Sequence, residues 1–148
     1  MSLKVHFDTR ALAEQVQAMR EDVQAATRPA AQAGSQVLYD AVKANVPRST
    51  EGHWFHGTSF KKTGQKYWFN PGTLSKAIYQ VYSKDNSTNG KATYQISWNH
   101  KKAPYGHMVE YGTRRSQPVA FVRRAGLQMP AALQAAEAEF MRHLKVFK

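Results

Sequence analysis

Glu110 is the residue best placed for chemistry, because it is the one carboxylate of the chain's basic centre that falls inside a patterned segment. It stands shortly before Gly112 and the pair Arg114 and Arg115, and a second pair, Arg123 and Arg124, follows. A carboxylate among guanidinium groups is more often an ion-pair partner than a general base. A bidentate, charge-assisted bond to Arg114 or Arg123 would orient that arginine. The histidines offer less. His53 and His56 lie in HWFH, which reads as extended, and an odd spacing in a strand sends side chains to opposite faces. Beyond Glu51, no acid lies near enough in sequence to complete a metal set with them, and His100 and His107 stand further on. A hydrolase or nuclease would have to be built on His107 and Glu110. The chain has no cysteine, which excludes thiol nucleophiles, disulfides and cysteine-based zinc sites. It also lacks G-x-S-x-G, a Walker-type glycine loop and a dinucleotide fingerprint. The expectation is no enzyme, no catalytic residue, no metal and no cofactor.

The segment around Glu110 favours display instead. In PYGHMVEYGTRRSQPVAFVRRA (Pro104 to Ala125), an alternating stretch from His107 to Thr113 reads as a short strand ending at Gly112. Arg114 and Arg115 follow, then a Gln-Pro turn, an apolar plug (Val119, Ala120, Phe121, Val122) and Arg123 and Arg124. A loop held at both ends and cationic between them is built to present charge. Arg114, Arg115, Arg123 and Arg124 are therefore the expected interaction surface, with Glu110 positioning one of them.

The charge distribution supports this. The net charge is +11, with residues 1–42 at −1, residues 43–124 at +11 and residues 125–148 at +1. Nearly neutral ends flank a concentrated positive field, which attracts anionic partners and gains from counterion release if those are phosphates. A solvated basic surface is the plainer alternative.

The elements that must hold this centre are legible in outline. Residues 8–27 read as a helix capped by Asp8 or Thr9, with Leu12, Val16, Met19 and Val23 as a core stripe. Thr27-Arg28-Pro29 reads as a break, followed by a second helix from 29 to about 45 that buries Ala33, Val37, Leu38, Ala41 and Val42 and stops at Pro47. From 49 to 73 the composition changes to six aromatics (Trp54, Phe55, Phe60, Tyr67, Trp68, Phe69) interleaved with Lys61, Lys62 and Lys66. KKTGQK resembles a turn between two short strands, so 53–70 is an aromatic hairpin or arm. It suits packing on a neighbouring subunit, stacking of bases or a mobile loop. Lys76 to Ser83 places Ile78 inward, with Val81 or Tyr82. Lys91 to Asn99 alternates Ala92, Tyr94, Ile96 and Trp98, and Asn89-Gly90 is the corner between these two strands. A last helix, started or kinked at Pro130, turns Leu133, Ala136, Phe140, Met141 and Leu144 to one face and Glu137, Glu139, Arg142 and Lys145 to water.

Several of these pieces, in this order, resemble one known family. Val46-Pro47-Arg48-Ser49-Thr50 and Gly72-Thr73-Leu74-Ser75-Lys76-Ala77-Ile78 resemble an Ala-Pro-x-x-Thr-Gly-x-Leu-x-x-Ser-Ile run, here split by about twenty residues that are the aromatic arm. Tyr105-Gly106-His107-Met108-Val109-Glu110-Tyr111-Gly112-Thr113 is similar to Tyr-Ala-x-x-Val-Glu-x-Gly-Thr. Pro118 to Ala125 resembles Pro-Phe-Leu-Arg-Pro-Ala, with Arg124 in place of proline. The family is the tailed-phage neck or tail-completion proteins, the minor tail components of head–tail joining. The resemblance spans roughly residues 30–145. It implies a structural virion protein that forms a homo-oligomeric ring and meets portal-side connector or tail-tube proteins, with non-specific DNA contact.

The expectation is one α+β domain over 1–148, with N-terminal helices and a C-terminal helix packed on a small antiparallel β-sheet. It would be made in the host cytoplasm and end in the virion. No apolar run approaches the roughly 20 residues of a membrane span. The alternative function is a nucleic-acid-binding protein gripping phosphates through the same basic centre.

Overall fold

The computed structural model describes residues 4–6 and 8–144. Along the chain come α1 (Arg10–Asn45), β1 (His53–His56), α2 (Phe60–Thr63), β2 (Lys66–Phe69), α3 (Thr73–Ala77) and β3 (Ile78–Tyr82). Then follow β4 (Tyr94–Trp98), α4 (Gly106–Tyr111), α5 (Phe121–Ala125), a short 3-10 turn (Gly126–Gln128) and α6 (Met129–His143). The class is α+β.

The expected break near Pro29 does not occur: α1 is one helix of 36 residues with Pro29 inside it. A mid-helix proline forfeits a hydrogen bond and crowds a carbonyl, at a cost of about 3 kcal/mol. Two things offset that here. The flanks are rich in alanine and glutamine, which favour helix, and α6 packs along this stretch, where Ala26, Ala30 and Gly34 are buried. The approach is close, since a Cβ on Gly34 would come within 2.9 Å of the Ala132 carbonyl oxygen.

That pairing also overturns the first predicted core stripe. Leu12, Val16, Met19 and Val23 are 61%, 57%, 44% and 40% exposed. α6 has only 15 residues, and the buried positions of α1 begin at Ala26, so the N-terminal half projects past its partner. In the second stripe Val42 is buried, while Ala33, Val37, Leu38 and Ala41 are half-buried. The face of α6 differs in the same way: Ala132 and Leu144 are buried, Ala136 and Phe140 half-buried, but Leu133 and Met141 are exposed. Small residues occupy the α1–α6 contact because the two backbones lie close. Glu137 and Arg142 face water, Glu139 is half-buried and bonded to Arg142 at 2.6 Å, and Lys145 lies outside the described residues.

The strands form two separate antiparallel pairs rather than one sheet. β1 and β2 pair with Trp54 opposite Trp68 and Phe55 opposite Tyr67, so the aromatic hairpin is present, with α2 in its connection. β3 and β4 pair with Ile78 opposite Trp98. Their corner is Asn89-Gly90, closed by a Thr88–Lys91 bridge, with Gly90 at φ 87°. Ile78 is buried and Tyr82 half-buried, while Val81 faces out. Ile78 and Trp98 join Val42, Leu74 and Phe121 in the core.

The third predicted strand is a helix. His107 to Tyr111 belongs to α4, in which Gly106 and Glu110 are buried. Six residues fit either period, and burial four apart on one helical face decides it. A Cβ on Gly106 would lie 2.3 Å from the Trp98 indole nitrogen. The α4 helix therefore sits directly on the core.

Candidate functional site

Glu110 is 2% exposed at its side chain, yet it carries a carboxylate. Its oxygens accept the backbone N–H of Val122 at 2.9 Å and that of Arg123 at 3.2 Å. These are the second and third residues of α5, whose amides have no partner within the helix. A side chain just before the helix usually accepts them, but Ala120 holds that place and has nothing to offer. Glu110 supplies the cap from another element, and a negative group at a helix start also meets the positive end of its dipole.

The arginines take distinct roles around this cap. The Arg123 Nε lies 3.4 Å from the same carboxylate, its Nη2 donates to the Glu110 carbonyl at 3.3 Å, and its guanidinium lies over the Tyr111 ring at 5.5 Å. Its side chain remains 60% exposed. Arg114 and Arg115 form the tip of a tight turn, closed by Thr113 N–H to the Ser116 carbonyl at 2.8 Å and the reverse bond at 3.3 Å. Both are exposed. Arg124 lies elsewhere, in a groove with Asp40, Ala44 and Asn45 of α1. The structure brings Glu110 to Arg123, puts Arg114 and Arg115 on the turn's tip, and turns Arg124 toward α1.

Both ends of the loop are fixed. On one side Gly112 takes φ 78°, ψ −179°, a conformation open to glycine alone. On the other, the Val119 N–H donates to the Val109 carbonyl at 2.9 Å and Phe121 is fully buried, 5.7 Å from the Trp98 ring centroid.

The aromatic hairpin has two unlike faces, as alternation requires. Phe55 and Phe69 turn inward, with ring centroids 6.1 Å and 4.9 Å from Tyr105. His53 shares that face at 5.0 Å from Tyr105, whereas His56 lies against Phe60 at 4.3 Å. Burial pushes the Tyr105 hydroxyl above its ordinary range, partly countered by a backbone bond from Leu74. Trp54 and Trp68 pair outward at 5.2 Å, with the Lys66 ammonium 4.6 Å over the Trp54 ring. Tyr67 is also exposed. Seated on Tyr105, the hairpin is a docked element with one free aromatic face rather than a loose arm.

The split motif closes in space. Pro47, Arg48 and Ser49 from before the hairpin, and Gly72, Thr73 and Leu74 from after it, line one cavity of about 310 Å³ with Tyr105 and Val109. The intervening residues, 50–71, are looped out around the hairpin, leaving the two halves adjacent. Among the described residues no group of three His, Asp or Glu side chains is placed to hold a metal ion. No helix there is long and apolar enough to cross a membrane.

Sequence reasoning missed Glu110 as a helix cap. The signal was present, since the plug before Phe121 contains no Ser, Thr, Asp or Asn to cap a helix.

Comparison with known proteins adds one match. No curated protein and no solved structure matches the chain. The family described as "Bacteriophage HK97-gp10, putative tail-component" matches over residues 10–112. That span takes in α1, both strand pairs and α4 with its Glu110 and Gly112, and it ends just before the arginine tip. The chain belongs to this HK97-gp10-like family of phage tail components.

Proposed function

We propose that the protein is a non-catalytic virion part of head–tail joining or tail completion, and that its arginine turn docks on a neighbouring virion protein. One observation carries this reading. A buried carboxylate and a glycine-only turn fix a loop whose tip is two exposed arginines, in a chain of a phage tail-component family. Fixing the loop in advance lowers the ordering cost of binding. Arg123 widens the cationic surface beside Glu110, and Arg124 would contribute only to a partner that also reaches the α1 groove.

The partners in this reading are further copies in a ring and portal-side connector or tail-tube proteins. A ring needs a heterologous interface that closes. The free hairpin face, with Trp54 and Trp68, is suited to it, while Phe55 and Phe69 hold the hairpin on the body, Tyr67 stands exposed opposite Phe55 and Phe60 packs on His56. The protein would act in the virion and be assembled in the host cytoplasm.

Lys66 over Trp54 favours a second reading, since an aromatic face beside cations also stacks bases and neutralises phosphate. Filter binding of DNA across a salt series, alongside light scattering, separates the two. The structural reading expects no retention at physiological salt. It also expects Trp54→Thr with Trp68→Thr to reduce self-association while the fold stays intact, because Phe55 and Phe69 still pack on Tyr105. Retention with a steep negative log–log slope would support nucleic-acid binding instead.

A further inference from the structure

Between the middle of α1 and the β3–β4 corner lies a small polar cavity of about 170 Å³ that none of the roles above uses. Arg28 and Lys91 bring two positive charges to it, and Gln24, Thr88 and Asn89 bring amide and hydroxyl groups. None of the nine residues lining it is acidic.

The two cations come from ordered elements. The Arg28 guanidinium lies over the Tyr82 ring, 4.4 Å from its centroid, and that ring packs on Tyr94 at 5.4 Å. A guanidinium laid on a ring keeps the N–H groups of its edge for an acceptor. Lys91 closes a tight turn in which the Thr88 and Lys91 backbones exchange bonds of 2.9 Å and 3.0 Å and Gly90 takes φ 87°. Among the described residues, no hydrogen bond or ion pair engages the side chains of Arg28, Lys91, Gln24, Thr88 or Asn89.

We propose that this cavity binds a phosphate group. Donor side chains on two elements, two of them charged, suit the several acceptor oxygens of a phosphate better than the pair on a carboxylate. The arginine supplies a fork and the lysine a point charge. Small-molecule pockets begin at about 300 Å³, so this smaller cavity takes the phosphate group and leaves whatever carries it outside. A free phosphate ion and the backbone of DNA present this same chemistry. The site shares no residue with the arginine turn or the hairpin, and it does not depend on the docking role.

Amide NMR spectra of the full-length protein, recorded as inorganic phosphate replaces chloride at constant ionic strength, test the proposal. The Asn89, Gly90 and Lys91 amides should shift and saturate. Arg28→Gln should weaken that binding roughly tenfold or more, and Arg28→Lys, which keeps the charge without the fork, should fall between. Unmoved amides elsewhere in the same spectra show that each variant is folded. Replacing Arg114 and Arg115 with alanine should leave the affinity within about twofold, because separated surface charges are screened. A short DNA duplex identifies the carrier. If it shifts the same amides and loses that effect in Arg28→Gln, the site takes a backbone phosphate. If phosphate shifts them and the duplex does not, it takes the free ion. Three results would overturn the proposal: unsaturated drift with phosphate and duplex alike, an equal loss in the arginine-turn variant and in Arg28→Gln, or tighter binding of a glutamate tripeptide than of phosphate. All of them arise in purified protein and leave the head–tail reading untouched.

Discussion

Replacing Glu110 with alanine should lower stability by about 3–4 kcal/mol, because the Val122 and Arg123 amides at the start of α5 lose their acceptor where solvent replaces it poorly. For a chain of this size that is a fall of roughly 10 °C in melting temperature, measurable by calorimetry. Glu110→Gln keeps an acceptor of the same length but removes the charge, so it should lie between alanine and the native protein. Glu110→Asp is one methylene shorter and should behave more like alanine. If alanine left the transition unchanged, α5 would be held by Phe121 burial alone, and the Glu110 cap would contribute nothing.

Gly112→Ala should be comparably damaging, at about 3 kcal/mol or more. Its backbone conformation disfavours any side chain, and a Cβ would lie 2.8 Å from both the Ser116 carbonyl oxygen and the Pro118 nitrogen. Gly64→Ala is the fitting control. Gly64 also has positive φ, at 67°, but nothing lies within 4 Å of its Cβ position, so the loss there should be about 1 kcal/mol. Equal losses at the two sites, read from denaturant unfolding, would show that backbone strain alone matters and that the loop is free to move away from Gly112.

These two residues show what the sequence could and could not convey. Val109-Glu110-Tyr111-Gly112-Thr113 stands out as a motif, and its glycine announces a turn. Its helix was hidden, because a six-residue window satisfies periods of 2 and 3.6 equally well. The partners of Glu110 were hidden for another reason. Two of its three donors are backbone amides twelve and thirteen residues away, and local patterning says nothing of them. Arginine pairs nearby suggested a side-chain contact alone, and the Arg123 contact exists, but the same carboxylate also ends a helix.

The hairpin was legible because alternation, turn residues and composition agreed. The unbroken helix through Pro29 was not, because the tertiary contact that offsets the proline comes from α6, about a hundred residues later in the chain. The stripe at Leu12 to Val23 shows the limit of periodicity most clearly. A 3.5-residue repeat identifies an apolar face, but the identity and length of the element covering it decide whether that face is core or surface.

In the proposed role the arginine tip is a docking surface rather than part of the fold, and the double substitution Arg114→Ala and Arg115→Ala tests this most directly. Particles assembled with the variant would be counted by electron microscopy, and the purified variant melted beside the native protein. Exposed charges contribute little to folding, so the melting temperature should stay within a degree or two while tailed particles become scarce and unjoined heads and tails accumulate. Normal numbers of tailed particles, or a large fall in melting temperature, would contradict it.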